Sequence, residues 1–289
     1  MTLIPVILLF CGCAGWLEAL WSTEAWDSPE GTDWVQVAAS ENNATCGLRE
    51  DGSGECWGYD ADEGMALPDA PLVHMDVGGR PCGLTAAGDV ACGDGFGSGA
   101  GENVDLGALL DGTQYKDVAV GHDFYCGLSD AGALRCVTTS DIALVAPEEE
   151  AFTRISGGAW MLCGLHEDGS ASCWDTDGVR TDQTGPFTEV EAGREGACGI
   201  TGEGAIECWG YVFVEADPGP FAALSMGTAA ACALDPDGDM RCWVDEHKLI
   251  GVNPPEDGPF SGVAAGTLQV CGLRTDGAIS CVEAEYWEE

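Results

Sequence analysis

Apolar side chains recur in this chain in short groups at fixed distances before a cysteine. In five places an aromatic stands eleven positions before it (Tyr115, Phe152, Phe187, Phe221, Phe260), an aliphatic eight before it (Val118, Ile155, Val190, Leu224, Val263) and a glycine five before it (Gly121, Gly158, Gly193, Gly227, Gly266). Trp34 and Val37 keep the scheme with one residue inserted, and Leu72, Met75 and Gly78 keep it with one deleted. Such a group predicts a short strand leading into a hairpin. The residue two after the cysteine is Leu48, Leu84, Leu128, Leu165, Ile200, Leu234 or Leu273, and the sixth is always glycine: Gly52, Gly88, Gly132, Gly169, Gly204, Gly238 and Gly277. Glycine in all seven units is a backbone requirement, because the third position of a three-residue hairpin loop is left-handed. The chain is an internal repeat array with a mean period of 37.5 residues from Cys46 to Cys271, each unit supplying about three short strands and a Gly, Pro and Asp-rich connection.

The cysteines fall into pairs with one spacing, C-x9-C: Cys46 and Cys56, Cys82 and Cys92, Cys126 and Cys136, Cys163 and Cys173, Cys198 and Cys208, Cys232 and Cys242, Cys271 and Cys281. Counting outward from a loop at 50–52 sets residue 46 directly opposite residue 56 in a non-hydrogen-bonded pair, where Cα atoms lie about 4.5 Å apart. That is close enough for a disulfide, and each such bridge contributes roughly 2 to 3 kcal/mol by closing a short loop. Metal is the rival reading. Zinc sites favour closer spacings, and an opposed pair supplies only two ligands per unit.

The unit running from Val190-Glu191-Ala192-Gly193 through Cys198-Gly199-Ile200 to Cys208-Trp209-Gly210 resembles the regulator of chromosome condensation repeat, and the resemblance extends over residues 34–289. It implies an all-β fold, a seven-bladed β-propeller with one blade per repeat. The short period resembles the compact blades of a propeller-type bacterial β-lactamase inhibitor, which implies three strands per blade. The physics agrees: a small three-stranded sheet cannot bury both faces alone, whereas seven in a ring bury a continuous core. Residues 20–33, with Trp26-Asp27 echoing Trp174-Asp175, are expected to cover the last blade and complete the ring.

The first residues differ. Leu3 to Phe10 form an uninterrupted apolar run, too short to span a bilayer and suited to the core of a secretory signal. Cys13 follows Gly12 at the end of that run and resembles the lipidated cysteine of a bacterial lipoprotein, so 1–12 is expected to be a cleaved leader and 13–33 a linker. An ordinary cleaved signal is the alternative. Export fits seven disulfides and implies an outer-membrane or cell-surface lipoprotein of a Gram-negative bacterium, or a periplasmic or extracellular protein, touching membrane only through its lipid.

Composition narrows the function. Ten Lys and Arg against 50 Asp and Glu leave a net charge of −40, which repels phosphate backbones and excludes nucleic acid as a direct partner. The four histidines, His74, His122, His166 and His247, occupy unrelated repeat positions, and no catalytic or phosphate-binding motif is present. No cofactor and no metal site is expected. Gly93 to Gly101 superficially resembles a dinucleotide loop but has no strand-helix unit around it and is expected to be a flexible connection, and Glu148-Glu149-Glu150 is expected to be a solvated loop. The acidic runs Asp60-Ala61-Asp62-Glu63-Gly64 and Asp235-Pro236-Asp237-Gly238-Asp239 are candidates for calcium, but the second coincides with a hairpin turn. The connections after each second cysteine vary most and are expected on one face. The favoured expectation is a monomeric, non-enzymatic propeller that binds a basic protein through that face. A secreted carbohydrate-active hydrolase with paired Asp and Glu in a Trp-lined pocket is the alternative. A guanine-nucleotide-exchange-like regulator ranks third.

Overall fold

A computed structural model describes residues 28–286 apart from 41–42, 59–60, 62–63, 96–105, 107–108, 110, 139–141, 145–149, 215, 246, 248 and 284. Its strands form seven small antiparallel sheets in chain order. Blade 1 is β1 (Trp34–Ala39), β2 (Ala44–Arg49) and β3 (Gly54–Gly58); blade 2 is β4 (Leu72–Val77), β5 (Pro81–Thr85) and β6 (Val90–Cys92). Blade 3 is β7 (Tyr115–Val120), β8 (Phe124–Ser129) and β9 (Leu134–Thr138); blade 4 is β10 (Arg154–Gly157), β11 (Met161–Leu165), β12 (Ala171–Asp175) and β13 (Arg180–Gln183). Blade 5 is β14 (Phe187–Ala192), β15 (Glu195–Thr201) and β16 (Ile206–Tyr211); blade 6 is β17 (Ala223–Met226), β18 (Ala230–Leu234) and β19 (Met240–Val244). After the short β20 (Leu249–Gly251), blade 7 is β21 (Phe260–Ala265), β22 (Gln269–Arg274) and β23 (Ile279–Glu283), and β24 (Glu285–Tyr286) returns to pair with β20.

The hairpins follow the counted register. Gly52 N–H donates to Arg49 O at 3.0 Å, the residue has φ of +85°, and Cys46 pairs with Cys56. All seven disulfides are present, with Cα separations of 4.0 to 4.1 Å. These are shorter than the roughly 4.5 Å expected of a non-hydrogen-bonded pair. Blade 4 departs from three strands: Gly178, at φ +81°, turns the chain so that β13 pairs with β12. The turn Asp175-Thr176-Asp177-Gly178 is fastened by Val179 N–H donating to Asp175 Oδ1 at 2.7 Å.

Blades stack by one rule. In blades 1, 2, 3, 5 and 7 the first strand carries a bulge between the aromatic position and the residue two later, as between Phe187 and Glu189. An aromatic and an aliphatic three apart would otherwise point to opposite faces; the extra residue puts both on one. That face receives the disulfide and leucine of the preceding blade. Cys163, Leu165 and Cys173 of blade 4 thus pack on Phe187, Val190 and Trp209 of blade 5, and Cys198, Ile200 and Ile206 of blade 5 on Phe221, Leu224 and Trp243 of blade 6. The glycine after the first cysteine makes room for the aromatic: a Cβ on Gly199 would lie 2.5 Å from the Phe187 ring.

The seventh interface closes the ring. Trp34 and Val37 of blade 1 share a cluster with Ala264, Cys271, Leu273 and Ile279 of blade 7, and Trp34 N–H donates to Gly277 O at 3.1 Å. Just before β1, Ser28 Oγ accepts from Cys281 N–H at 2.8 Å on the outer strand of blade 7. Residues 20–27 of the expected closing segment, with Trp26 and Asp27, lie outside the described residues, as does Cys13.

Candidate binding sites: the axial funnel and the narrow face

The seven first strands enclose a cavity of about 370 Å³ on the ring axis. Its wall is built from two positions in each strand, the residues on either side of the buried aliphatic. They are Gln36 and Ala38, His74 and Asp76, Asp117, Arg154 and Ser156, Glu189 and Glu191, Ala223 and Ser225, and Gly262 and Ala264; in β7 the deeper position, Ala119, is buried between blades instead. One end is closed by a collar that includes Gly78, Gly121, Gly158, Gly193 and Gly227. These are the glycines found five residues before the cysteines. A Cβ on Gly158 would stand 1.9 Å from Gly193 O, so the blades approach here backbone to backbone. The other end opens on the side of the hairpin turns, past exposed Val35 and Val73.

Many of the wall side chains clasp the next blade. Gln36 donates through Nε2 to Met75 O at 2.7 Å and accepts from Met75 N–H at 3.0 Å. Asp117 Oδ2 accepts from Ile155 N–H at 3.0 Å, and Glu189 Oε1 from Leu224 N–H at 3.0 Å. One tier deeper, Asp76 Oδ2 accepts from Val120 N–H at 2.7 Å, Ser156 Oγ from Ala192 N–H at 3.0 Å, and Ser225 Oγ from Ala265 N–H at 2.9 Å. Inner-strand N–H groups without a ladder partner are thereby satisfied across the blade boundary.

Burial raises three acids of this wall, Asp76, Glu189 and Glu191. Asp76 is pushed up to about 6 by desolvation, against the backbone N–H groups of Val120 and Val77 and nearby His74, which favour its charged form. Glu191 is driven well above the usual range by burial and then by adjacent Glu189, with Arg154 and Ser156 opposing. Glu189 is raised by burial against the Leu224 N–H and Arg154. At the hairpin side the sign reverses: Ser53 hydrogen bonds lower Asp51, and Thr113 and Arg135 lower Asp111 to about 2.

A pH dependence follows. A carboxyl whose folded pKa is raised binds more protons in the native state, so its destabilising contribution grows as pH rises through the folded value and vanishes below the unfolded one. The lowered hairpin acids stabilise above the unfolded value of 3.8 and lose that contribution as pH falls through their folded values, about 2 for Asp111. Self-repulsion of a −40 chain adds to the first trend. The melting temperature is expected to rise by several degrees from about pH 8 to about pH 5 and to fall again below about pH 3. Asp76→Asn should flatten the slope between about pH 4 and 6, the interval from the unfolded value to the raised one; an equal slope in the variant would remove Asp76 as its source.

The second site lies where the collar meets solvent. Thr176 N–H donates to Trp160 O at 3.1 Å and Asp245 N–H to Ala229 O at 2.8 Å, so third strands leave their blades beside the turns that join first and second strands. Trp160 and Tyr211 are exposed on this narrow face, Tyr211 at 68%. The Arg194 guanidinium stacks 4.3 Å from the Trp160 ring centroid. Arg194 and Tyr211 also border a groove of about 260 Å³ with Phe213, Met226, Thr228 and Asp245.

The residues singled out in the sequence are distributed accordingly. The first cysteine of each pair is fully buried between blades. His74 lines the funnel with Nε2 3.2 Å from Asp117 Oδ1, whereas His122 sits in the turn after β7 and His166 after β11, stacked on Phe152. Asp235 spends Oδ1 inside its own turn, accepting from the N–H groups of Asp237 and Asp239 at 2.9 Å each. Glu150 is engaged by Arg180. No group of three or more His, Cys, Asp or Glu among the described residues is arranged to hold a metal ion. Residues 60, 62 and 63 of the first acidic run, 96–101 of the glycine-rich connection, and 148 and 149 lie outside the described residues. The two wall positions were missed in the sequence, where they look like polar spacers. Their signal was the bulge, detectable as an aromatic and an aliphatic three apart with a polar residue between.

No protein-family model and no curated protein matches the sequence. Solved structures do. The ectodomain of the Physcomitrella patens receptor kinase CR4 matches with a TM-score of 0.66 at 23% identity, over 87% of this chain and 73% of that one. The CRINKLY WD40 ectodomain of the Arabidopsis thaliana receptor kinase ACR4 matches at 0.64 and 19% identity, over 86% and 97%. Prp20p of Saccharomyces cerevisiae, a protein described with its binding to Gsp1p and histones, matches at 0.61 and 13%, over 89% and 83%. The chain has the regulator-of-chromosome-condensation type of propeller fold. In this propeller the seven sheets correspond to the seven repeats, and blade 4 alone has a fourth strand among the described residues.

Proposed function

We propose that this propeller is an exported binding module of the bacterial cell envelope, anchored by a lipid on Cys13, that holds a basic protein partner on its narrow face and performs no catalysis. The observation that carries the reading is the exposed Trp160 and Tyr211 with half-buried Arg194 beside a groove, the residue types that dominate binding energy at protein interfaces. The rigid ring that displays it supports the same reading, since loops on a stiff scaffold make a defined surface. Seven disulfides fit an oxidising compartment. The charge of −40 favours a cationic partner and association that slows as salt rises. Against the hydrolase reading, none of the described residues lining the axial cavity is a tryptophan.

The test is capture from envelope extract on immobilised propeller at low and high salt. A partner retained at low salt should be lost in Trp160→Ala and Tyr211→Ala variants, each weakening binding by roughly 30-fold if it is a hot spot. Equal retention by the double variant would sink the assignment of this face. Mass spectrometry of the protein from its host decides the lipid: a mass without the diacylglyceryl increment on Cys13 would sink the anchor.

A further inference from the structure

We propose that the axial funnel is a binding site for a primary ammonium group on an alkyl stem, held by Glu189 and Glu191. The seven repeats supply the internal control. Asp76 and Asp117 each use both carboxylate oxygens inside the protein: Asp76 takes the N–H groups of Val77 and Val120, and Asp117 those of Val118 and Ile155. They belong to the clasps. Blade 5 differs, because β14 is the one first strand with acids at both wall positions. Glu189 clasps Leu224 through Oε1 only, and Glu191 accepts only from Ser156 Oγ, through Oε2 at 3.0 Å. One oxygen of each is left without a donor among the described residues, both on the same face of one strand and both in the cavity wall. Neither clasp requires this: Ser156 and Ser225 occupy the deeper position in neighbouring blades and bind the next backbone N–H without a charge.

The rest of the cavity decides the ligand. Its other charged groups are His74, Asp76, Asp117 and Arg154. Arg154 is exposed and favours the charged forms of both glutamates from a distance, with no hydrogen bond or close ion pair to either among the described residues, so their free oxygens stay open. The wall from blades 6, 7 and 1 is short and mainly apolar, with Ala223, Gly262, Ala264 and Ala38. Small side chains there leave the volume, about 370 Å³, in which an alkyl stem can lie. A bare divalent cation would need six or more oxygens, which two glutamates facing alanine and glycine do not offer. An ammonium needs two or three acceptors and an apolar channel for its stem. The funnel opens on the hairpin side, so this site stands or falls separately from the partner surface of the narrow face.

The test is calorimetric titration of the full chain with 1,5-diaminopentane. One equivalent should bind, and Glu189→Gln with Glu191→Gln should weaken it by at least about tenfold. Ala223→Leu, which fills the apolar wall and leaves every charge in place, should weaken it comparably, so that a folding defect in the glutamine variant leaves a second readout. Asp51→Asn with Asp168→Asn on the hairpin turns should change nothing. Nα-acetyl-lysine methylamide distinguishes the sources: binding comparable to the diamine assigns the site to a lysine side chain of another protein, and binding of the diamine alone assigns it to a free amine. Absence of binding, or equal affinity in wild type, the glutamine variant and Ala223→Leu, as for a cation condensing on an acidic surface, overturns the proposal.

Discussion

Reduction of the seven disulfides is expected to unfold the protein outright. Each bridge closes a loop with a sequence separation of 10. Closing a loop of that size removes about 3 kcal/mol of chain entropy from the unfolded state. Seven such contributions exceed the roughly 5 to 15 kcal/mol by which a folded domain is ordinarily stable. The first cysteine of every pair is fully buried between blades and the second is half-buried in all but the buried Cys173, so a reductant reaches most bridges only through the outer sulfur. Dithiothreitol alone should therefore release few thiols from native protein, and dithiothreitol with urea should release them all; after the urea is removed the reduced chain should stay unfolded. Thiol titration alongside circular dichroism reads both steps. Recovery of the native spectrum while reduced would show that blade packing suffices. A single pair changed to serine removes about 3 kcal/mol from one hairpin, and the packing of that disulfide on the next blade is lost as well.

Substitution of one collar glycine is expected to cost as much as losing a bridge. On Gly158 a Cβ would lie 1.9 Å from the carbonyl oxygen of Gly193 and 2.8 Å from the Ala192 carbonyl carbon, all backbone of the neighbouring blade. No rotamer relieves that contact; two first strands must separate at the axis, where the clasps of Ser156 and Glu191 hold them. Gly158→Ala should lower the unfolding free energy by at least about 3 kcal/mol. At Gly202 the same change meets no atom within 4 Å, and Gly202→Ala should stay within about 0.5 kcal/mol of wild type. Urea denaturation of the two variants measures the difference. Equal midpoints would mean that the collar is looser than the structure describes.

The legible part of this protein was its repeat. Cysteine spacing, the hairpin glycine and the leucine two after the cysteine each stand at one fixed offset, because a tight hairpin admits one register and a short cross-strand bridge one pairing. The aromatic at the head of each unit and the glycine after the cysteine are legible for the same reason: Phe187 and Gly199 occupy one volume, and neither can change alone. The fourth strand of blade 4 was present as Asp175-Thr176-Asp177-Gly178, a turn signal in a connection whose variability hid it.

The site was less legible. Glu189 and Glu191 are two of fifty acids, and along the chain nothing separates them from solvated ones. Their meaning depends on the bulge that turns them inward and on the ring that sets Ala38, Ala223 and Ala264 in the same cavity wall. Trp160, Arg194 and Tyr211 likewise belong to two blades, and only the stacking of one on the next brings them together.

What the sequence determined by itself is local: seven hairpins, their bridges, the blade as a unit and the number of blades, since each rests on residues within about ten positions whose geometry is fixed by backbone and covalent limits. What only the tertiary structure decided is the axis. A side chain at a wall position faces water in an isolated blade and faces six other blades in the closed ring. Closure therefore converts scattered polar residues into clasps, raises Asp76 and Glu191, and leaves two glutamate oxygens without a donor among the described residues in a cavity of seven strands.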